Sequence, residues 1–161
     1  MEILKSEQKH LGTLTSIYNY YVRNTTVTFN LDELSEEQFE SDFFHNGQYS
    51  GTYTIMEDGE IIGFGCINPF NKKEAYKRSA YVSIYLKKGQ TGKGYGRSVL
   101  GFLERAAYDK GVRSLIALIC IENSASATLF EKNGYRLAGE LKEAGEKFGR
   151  LLDVVYYQKN L

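Results

Sequence analysis

The sequence predicts an α/β domain whose mixed central sheet is flanked by helices. Three observations carry that expectation. Apolar residues recur at helical spacing in some stretches and alternate like strands in others, in the order α-α-β-β-β-α-β-α-β-β. Asp58-Gly59 stands between two strand-like runs, the pair that a type I′ hairpin turn favours. Leu115 to Ile121 is an almost unbroken apolar run, as in a strand covered on both faces and typically parallel to its neighbour.

From the start of the chain, Leu11 to Val22 places Leu11, Leu14, Tyr18, Tyr21 and Val22 on one helical face. An irregular Thr-rich segment, Asn24 to Asn30, follows. Ser35 and Gln38 have the capping-box spacing for a second helix ending near Phe44. The hairpin runs from Tyr49 to Glu57 and from Glu60 to Ile67. In the next strand, Ala80, Val82, Ile84 and Leu86 form an aliphatic face, and Tyr81, Ser83 and Tyr85 a hydroxyl-bearing one. Ser98 to Lys110 is the central helix, with Gly111 placed to end it. After the apolar strand, Asn123 or Ser124 caps a helix through Lys132, and Gly134 supplies its left-handed stop. Tyr135 to Glu140 and Val154 to Gln158 are the closing strands.

With 161 residues the chain suits a single domain, 1–161, long enough to bury one full core. Twenty Lys plus Arg balance twenty Asp plus Glu, so no global field draws it to nucleic acid or anionic membrane. Without a long apolar run or a secretory leader pattern, the expectation is a soluble cytoplasmic protein. Cys66 and Cys120 lie in apolar segments and read as buried free thiols. The histidines, His10 and His45, belong to no Cys/His cluster, so no dedicated metal site is expected.

The stretch from Gly89 to Arg97, Gly-Gln-Thr-Gly-Lys-Gly-Tyr-Gly-Arg, lies between strand and helix. Alternating glycines before a helix make a nest of outward-pointing N–H groups, and the helix dipole adds positive potential, which suits a phosphate. The spacing fits neither the G-x-x-x-x-G-K-S/T loop nor the G-x-G-x-x-G dinucleotide fingerprint. It resembles instead the pyrophosphate loop of the GNAT acyl-CoA N-acetyltransferases, Gln/Arg-x-x-Gly-x-Gly/Ala. Gly94 and Gly96 match, while Thr91 takes the first position and Gln90 lies one residue early.

Further segments resemble the phosphinothricin acetyltransferase-like branch of that family over nearly the whole chain. Ile17-Tyr18-Asn19 followed by Asn24-Thr25-Thr26-Val27-Thr28-Phe29 is similar to its N-terminal signature. Ala75-Tyr76 precedes the loop strand. Asn123-x-x-Ser126-x-x-Leu129-x-Glu131-Lys132-x-Gly134-Tyr135 is similar to N-x-x-S-x-x-L-H/Y-E-x-x-G-F/Y. Gly145-x-Lys147-x-Gly149 with Asp153 matches the tail G-x-K-x-G-x-W-x-D except at Leu151.

The resemblance implies a GNAT fold using acetyl-CoA as co-substrate. Ile84, Tyr85 and Leu86 would pair with the pantetheine arm, and Gly92, Lys93, Gly94, Tyr95, Gly96 and Arg97 would hold the pyrophosphate. Asn123 would meet the pantetheine end and Lys132 the phosphate-bearing region; the plainer alternatives are a helix cap and a surface charge. Phe29, Tyr76, Arg78 and Tyr81 are the acceptor-pocket candidates. In the branch a glutamate usually stands where this chain has Tyr81, and a His or Tyr where it has Phe130. The catalytic candidates are therefore Tyr81, Glu122 and Tyr85, with Tyr85 a proton donor to the departing thiolate. The implied activity is acetyl transfer to the primary amine of a small molecule, of the phosphinothricin or methionine sulfoximine type, by a homodimer. The alternatives are an acyl-CoA-binding protein with lost or altered catalysis and a protein N-acetyltransferase.

Overall fold

The computed structural model describes residues 1–44 and 47–161; His45 lies outside them. Its seven-stranded sheet has the order β1 (Glu2–Lys5), β2 (Gly51–Glu57), β3 (Glu60–Pro69), β4 (Ser79–Leu86), β5 (Ser114–Cys120), β7 (Arg150–Asn160), β6 (Arg136–Lys147). The helices are α1 (Leu11–Asn24) and α2 (Glu36–Phe43) between β1 and β2, α3 (Tyr95–Asp109) between β4 and β5, and α4 (Ser124–Lys132) between β5 and β6. Strand pairs are antiparallel except β4–β5, which run parallel. The mixed α/β sheet of the sequence reading is thus observed.

The local signals act as their chemistry dictates. Asp58 and Gly59 take φ of 50° and 80°, the paired positive angles of a type I′ turn. Ser35 Oγ accepts from Gln38 N while the Gln38 side chain accepts from Ser35 N, closing the capping box. Gly111 and Gly134 both lie at positive φ just beyond their helices.

Four expectations are corrected. β1 went unread because four residues at a sheet edge carry too little alternation to register. α3 starts at Tyr95, three residues before the expected Ser98, because Gly94 in the left-handed region is already its N-cap. β6 runs on to Lys147, well past Glu140, through register shifts at Leu137/Gly139 and Leu141/Gly145. Asp153 supports that irregular stretch by accepting from Glu143 N at 2.8 Å while Lys142 reaches its other oxygen at 3.0 Å. Finally, β5 is not covered on both faces, since Leu118 is 48 % exposed.

Two apolar layers sandwich the sheet. Leu115, Ala117 and Ile119 of β5, with Val155 and Tyr157 of β7, pack against Val99, Leu103 and Phe130 of α3 and α4. On the opposite face, Leu14, Tyr18 and Val22 of α1 and Phe39 of α2 cover Phe64 of β3 and reach Tyr85 of β4. That second layer stops at β4. The same face of β5, β7 and β6, carrying Leu118, Tyr156, Val154 and Leu141, lies beyond the helices.

Candidate active site

β4 and β5 pair only at Ser79–Ser114, Ala80–Leu115 and Tyr81–Ile116. Beyond Tyr81 the strands part, and the gap between Val82–Leu86 and Ala117–Ile119 opens a cleft of about 410 Å³. Its floor is a half-free strand edge. Lys87 N donates to Ile62 O on the β3 side, and Arg78 O accepts from β5-side amides. Strand alternation therefore turns the N–H groups of Val82, Ile84 and Leu86 toward the cleft. The carbonyl of Leu86 on that edge accepts from the Tyr21 hydroxyl of α1.

At one end the cleft meets the glycine loop and α3. Gly89, Gly92 and Gly94 have φ of 83°, 79° and 86°, which side-chain-bearing residues rarely adopt. The first backbone bond of α3 runs from Ser98 N to Gly94 O, leaving the N–H groups of Tyr95, Gly96 and Arg97 unsatisfied within the helix. These donors, with the helix dipole behind them, suit a pyrophosphate. Gly96 lets α4 approach: a β-carbon there would sit 3.2 Å from Leu129 Cδ2. On the facing wall Asn123 caps α4, its Oδ1 accepting from Ser126 N at 3.1 Å. The cap and the ligand role do not compete, because capping occupies the carbonyl oxygen and leaves the amide N–H₂ to the cleft.

A widened strand edge meeting an uncapped helix N-terminus can hold a long ligand with amides along its length and a diphosphate at its end. The model of the acetyltransferase (GNAT) domain family matches residues 3–156. The chain belongs to the GNAT acetyltransferases. It is an N-acetyltransferase with acetyl-CoA as co-substrate. It is 31% identical to the phosphinothricin N-acetyltransferase of Streptomyces coelicolor, over 100% of this chain and 96% of that one. The crystal structure of the phosphinothricin acetyltransferase from Sinorhizobium meliloti in complex with AcCoA superposes with a TM-score of 0.94. The two are 28% identical over 99% of this chain and 88% of that one. The ribosomal-protein-alanine N-acetyltransferase from Brucella melitensis gives 0.93 at 31% identity, with both chains covered in full (100%).

Of the residues singled out in the sequence, the GNAT cleft gathers Ile84, Tyr85, Leu86, Gly92, Gly94, Gly96, Arg97 and Asn123. Tyr85 is packed between Phe64, stacked at 5.0 Å, and Tyr18, edge-on at 5.1 Å. Its hydroxyl has no hydrogen-bond partner among the described residues, and burial raises its pKa well above the ordinary tyrosine value. The side chains of Lys93 and Tyr95 turn away, the first to Gln90 at 2.9 Å and the second to Glu57. Lys132 is exposed at the far end of α4 from Asn123.

The remaining candidates do not line the cleft. Tyr81 belongs to the last β4–β5 pair and packs on Phe70, which packs on Tyr76. Arg78 precedes β4, about 13 Å of strand from Val82. Glu122 follows β5, where Arg150 holds it through two bonds of 2.8 and 3.0 Å and Thr26 Oγ1 lies 3.3 Å away. The Arg150 guanidinium holds this carboxyl below its ordinary pKa, so it is ionised and a weakened base. Phe29 lies on Gly145, one residue beyond Thr28 and two beyond the lining residue Val27.

Other lining residues had gone unassigned: Tyr21, Val27, Ser126, Leu129 and Phe130. Four of them stood in quoted segments, where apolar or small residues carry no chemical flag. Tyr21 read as part of an apolar helical face. Phe130, 3 % exposed, fills the place of a His or Tyr with a ring that cannot move a proton.

Proposed function

We propose that the enzyme, a single domain over residues 1–161, transfers acetyl from acetyl-CoA to the primary amine of a small molecule, an amino-acid analogue of the phosphinothricin type. One observation carries this reading: the parted edge of β4 and the uncapped start of α3 open into the same cleft. The names of the Streptomyces and Sinorhizobium relatives support the acceptor class.

In this reading the backbone from Gly92 to Arg97 holds the pyrophosphate, and Ile84 to Leu86 extends the sheet to the pantetheine arm, with the Asn123 amide donating from the opposite wall. Arg97 also borders a shallower depression with Phe102 and Arg105, which offers guanidinium groups and a ring to the nucleotide. The Ile84 N–H stabilises the oxyanion that forms as the amine attacks the thioester. Tyr85, half-buried at the cleft and protonated, donates to the departing thiolate, a task Phe130 cannot perform. Glu122, ionised beside Arg150 and outside the cleft lining, attracts the acceptor's ammonium on its approach; the reacting species is the free amine, and the proton its nitrogen sheds as the amide forms returns through solvent to Tyr85. The work is cytoplasmic, consistent with the buried free thiols of Cys66 and Cys120. Two copies pair through the uncovered face bearing Leu141, beside the cleft residue Leu118; light scattering of the purified protein tests the pairing, and of Leu141→Arg the face.

Calorimetric titration with acetyl-CoA tests the core of the proposal, using the native chain, Gly94→Val and Gly96→Val. Saturable binding that both folded variants lose supports it, and its absence in the native chain overturns it. Transfer is then assayed on amino-acid analogues beside a peptide with an N-terminal alanine. Preference for the peptide would replace the small-molecule acceptor with a protein.

A further inference from the structure

Lys147 is the buried cation that the cleft does not use. It ends β6, is 2 % exposed, and its Nζ donates to the backbone carbonyl of Thr28 at 2.6 Å. No carboxylate pairs with it among the described residues. Burying an ammonium against one neutral carbonyl, with the half-exposed ring of Phe148 5.2 Å from Nζ as its other partner, is still costly, and an apolar side chain of equal length would fill the space without that penalty. Packing therefore does not explain the lysine, whereas its reach to one particular carbonyl does.

That carbonyl lies in the connection between α1 and α2. Thr28 is itself buried, with its hydroxyl tied to that of Tyr18. Its predecessor Val27 lines the cleft, and its successor Phe29 rests on Gly145. On the other side of the hairpin turn, Arg150 holds Glu122, which meets Thr26. The β6–β7 hairpin thus takes hold of the connection on both sides of Val27.

We propose that Lys147 is a positioning residue for the acceptor, fixing the Thr28 carbonyl so that Val27 stands as a rigid wall of the cleft. The inference rests on the acetyltransferase reading for its consequence, but not for the latch itself. Lys147→Met removes the donor and keeps the length. Hydrogen exchange is followed across residues 25–30 without acceptor, alongside acetyl-CoA titration and acceptor kinetics.

Exchange in that segment is expected to rise about tenfold or more, as for a loop losing one hydrogen bond that holds it closed. Acetyl-CoA affinity is expected to stay unchanged, and the acceptor KM to rise more than kcat falls. Unchanged exchange overturns the latch. Faster exchange with an unchanged acceptor KM overturns the positioning role. Lys147→Gln, too short to reach the carbonyl, is read by the same measurements where the Met variant does not fold. Should the native chain transfer acetyl to no amine, the acetyltransferase reading falls, while the exchange arm still decides whether Lys147 holds the segment.

Discussion

The ring of Phe29 lies over Gly145 so closely that a β-carbon at residue 145 would come within 2.2 Å of its Cε1 and 2.4 Å of its Cδ1. Residues 116 positions apart in the chain thus share one contact, which joins the α1–α2 connection to the β6–β7 hairpin. Gly145→Ala must move the ring, and with it the segment next to the cleft. Overpacking of this kind costs about 1–3 kcal/mol. Denaturant unfolding is expected to show that loss, and acetyl transfer to fall while acetyl-CoA titration is unaltered. Unchanged stability would mean that the ring yields freely.

Asn123 separates capping from ligand binding. Asp at the same position still offers an oxygen to Ser126 N, and its charge suits a helix N-terminus, so α4 should keep its stability. What disappears is the amide donor facing the cleft. Losing one hydrogen bond to the ligand corresponds to about 1–1.5 kcal/mol, or roughly tenfold in affinity. Asn123→Asp is therefore expected to melt like the native chain and bind acetyl-CoA roughly tenfold more weakly. Equal affinity would reduce Asn123 to a cap.

How much of this was legible in the sequence follows from where each signal resides. Turns and caps announce themselves locally: Asp58-Gly59, Ser35 with Gln38, and Gly134 each sit where backbone chemistry requires them. The glycine loop was visible for the same reason. β1 and the outer half of β6 were not, because short or bulged edge strands are fixed by pairing, which one sequence does not display. The site divided along the same line. The glycine loop, Gly92 to Arg97, was singled out from its local pattern and Ile84 to Leu86 from the family resemblance, and Gly92, Gly94, Gly96, Arg97 and Ile84 to Leu86 do line one cleft. Tyr81, Tyr76 and Arg78 were named as acceptor candidates from the resemblance, and the fold places Tyr81 in the last β4–β5 pair with Tyr76 and Arg78 before the strand, outside the cleft lining. The links of Lys147 to Thr28 and Glu122 to Arg150 join distant segments, so only the folded chain displays them.

Tyr85 and Glu122 are distinguishable by their pH behaviour. Tyr85→Phe removes the proposed donor and is expected to lower kcat roughly a hundredfold, the low end of general-acid effects, without changing acetyl-CoA affinity. Glu122→Gln should raise the acceptor KM more than it lowers kcat, because the carboxylate attracts the ammonium rather than removing its proton. Both variants should retain a kcat/KM that rises with pH as the acceptor loses its proton, at a pH above the ~8 of a peptide α-amine, because the carboxylate of an amino-acid analogue holds its ammonium proton more firmly. A limb present in the native profile and absent from Glu122→Gln would restore Glu122 as the base.

Alkali should unfold the protein through its buried and half-buried phenols and its buried thiol. Burial raises the pKa of Tyr18, Tyr21, Tyr85 and Tyr135 above the ordinary tyrosine value of 10.0, and pushes Cys66 from 9.0 up to about 12. Each folded group holds its proton where the unfolded chain has released it. Between the two pKa values the folded state binds more protons, so stability falls as pH rises. The stabilising contribution is complete below pH 9.0, begins to fade there through Cys66, and fades faster above 10.0 as the tyrosines join. Lys147 acts with the opposite sign, since burial lowers its pKa and loss of its proton favours folding. Tyr53, Tyr81, Tyr95 and Tyr157 are raised as well, so one lysine faces eight tyrosines and a thiol, and the net slope is expected to be negative. Melting temperature recorded from neutral pH into this range, alongside tyrosinate absorbance, checks the sign. The buried tyrosines should ionise together with unfolding, and Cys66→Ala should move the onset toward 10.0, the value from which the tyrosines depart. A melting temperature flat through that range would mean that these groups are hydrated in the folded protein.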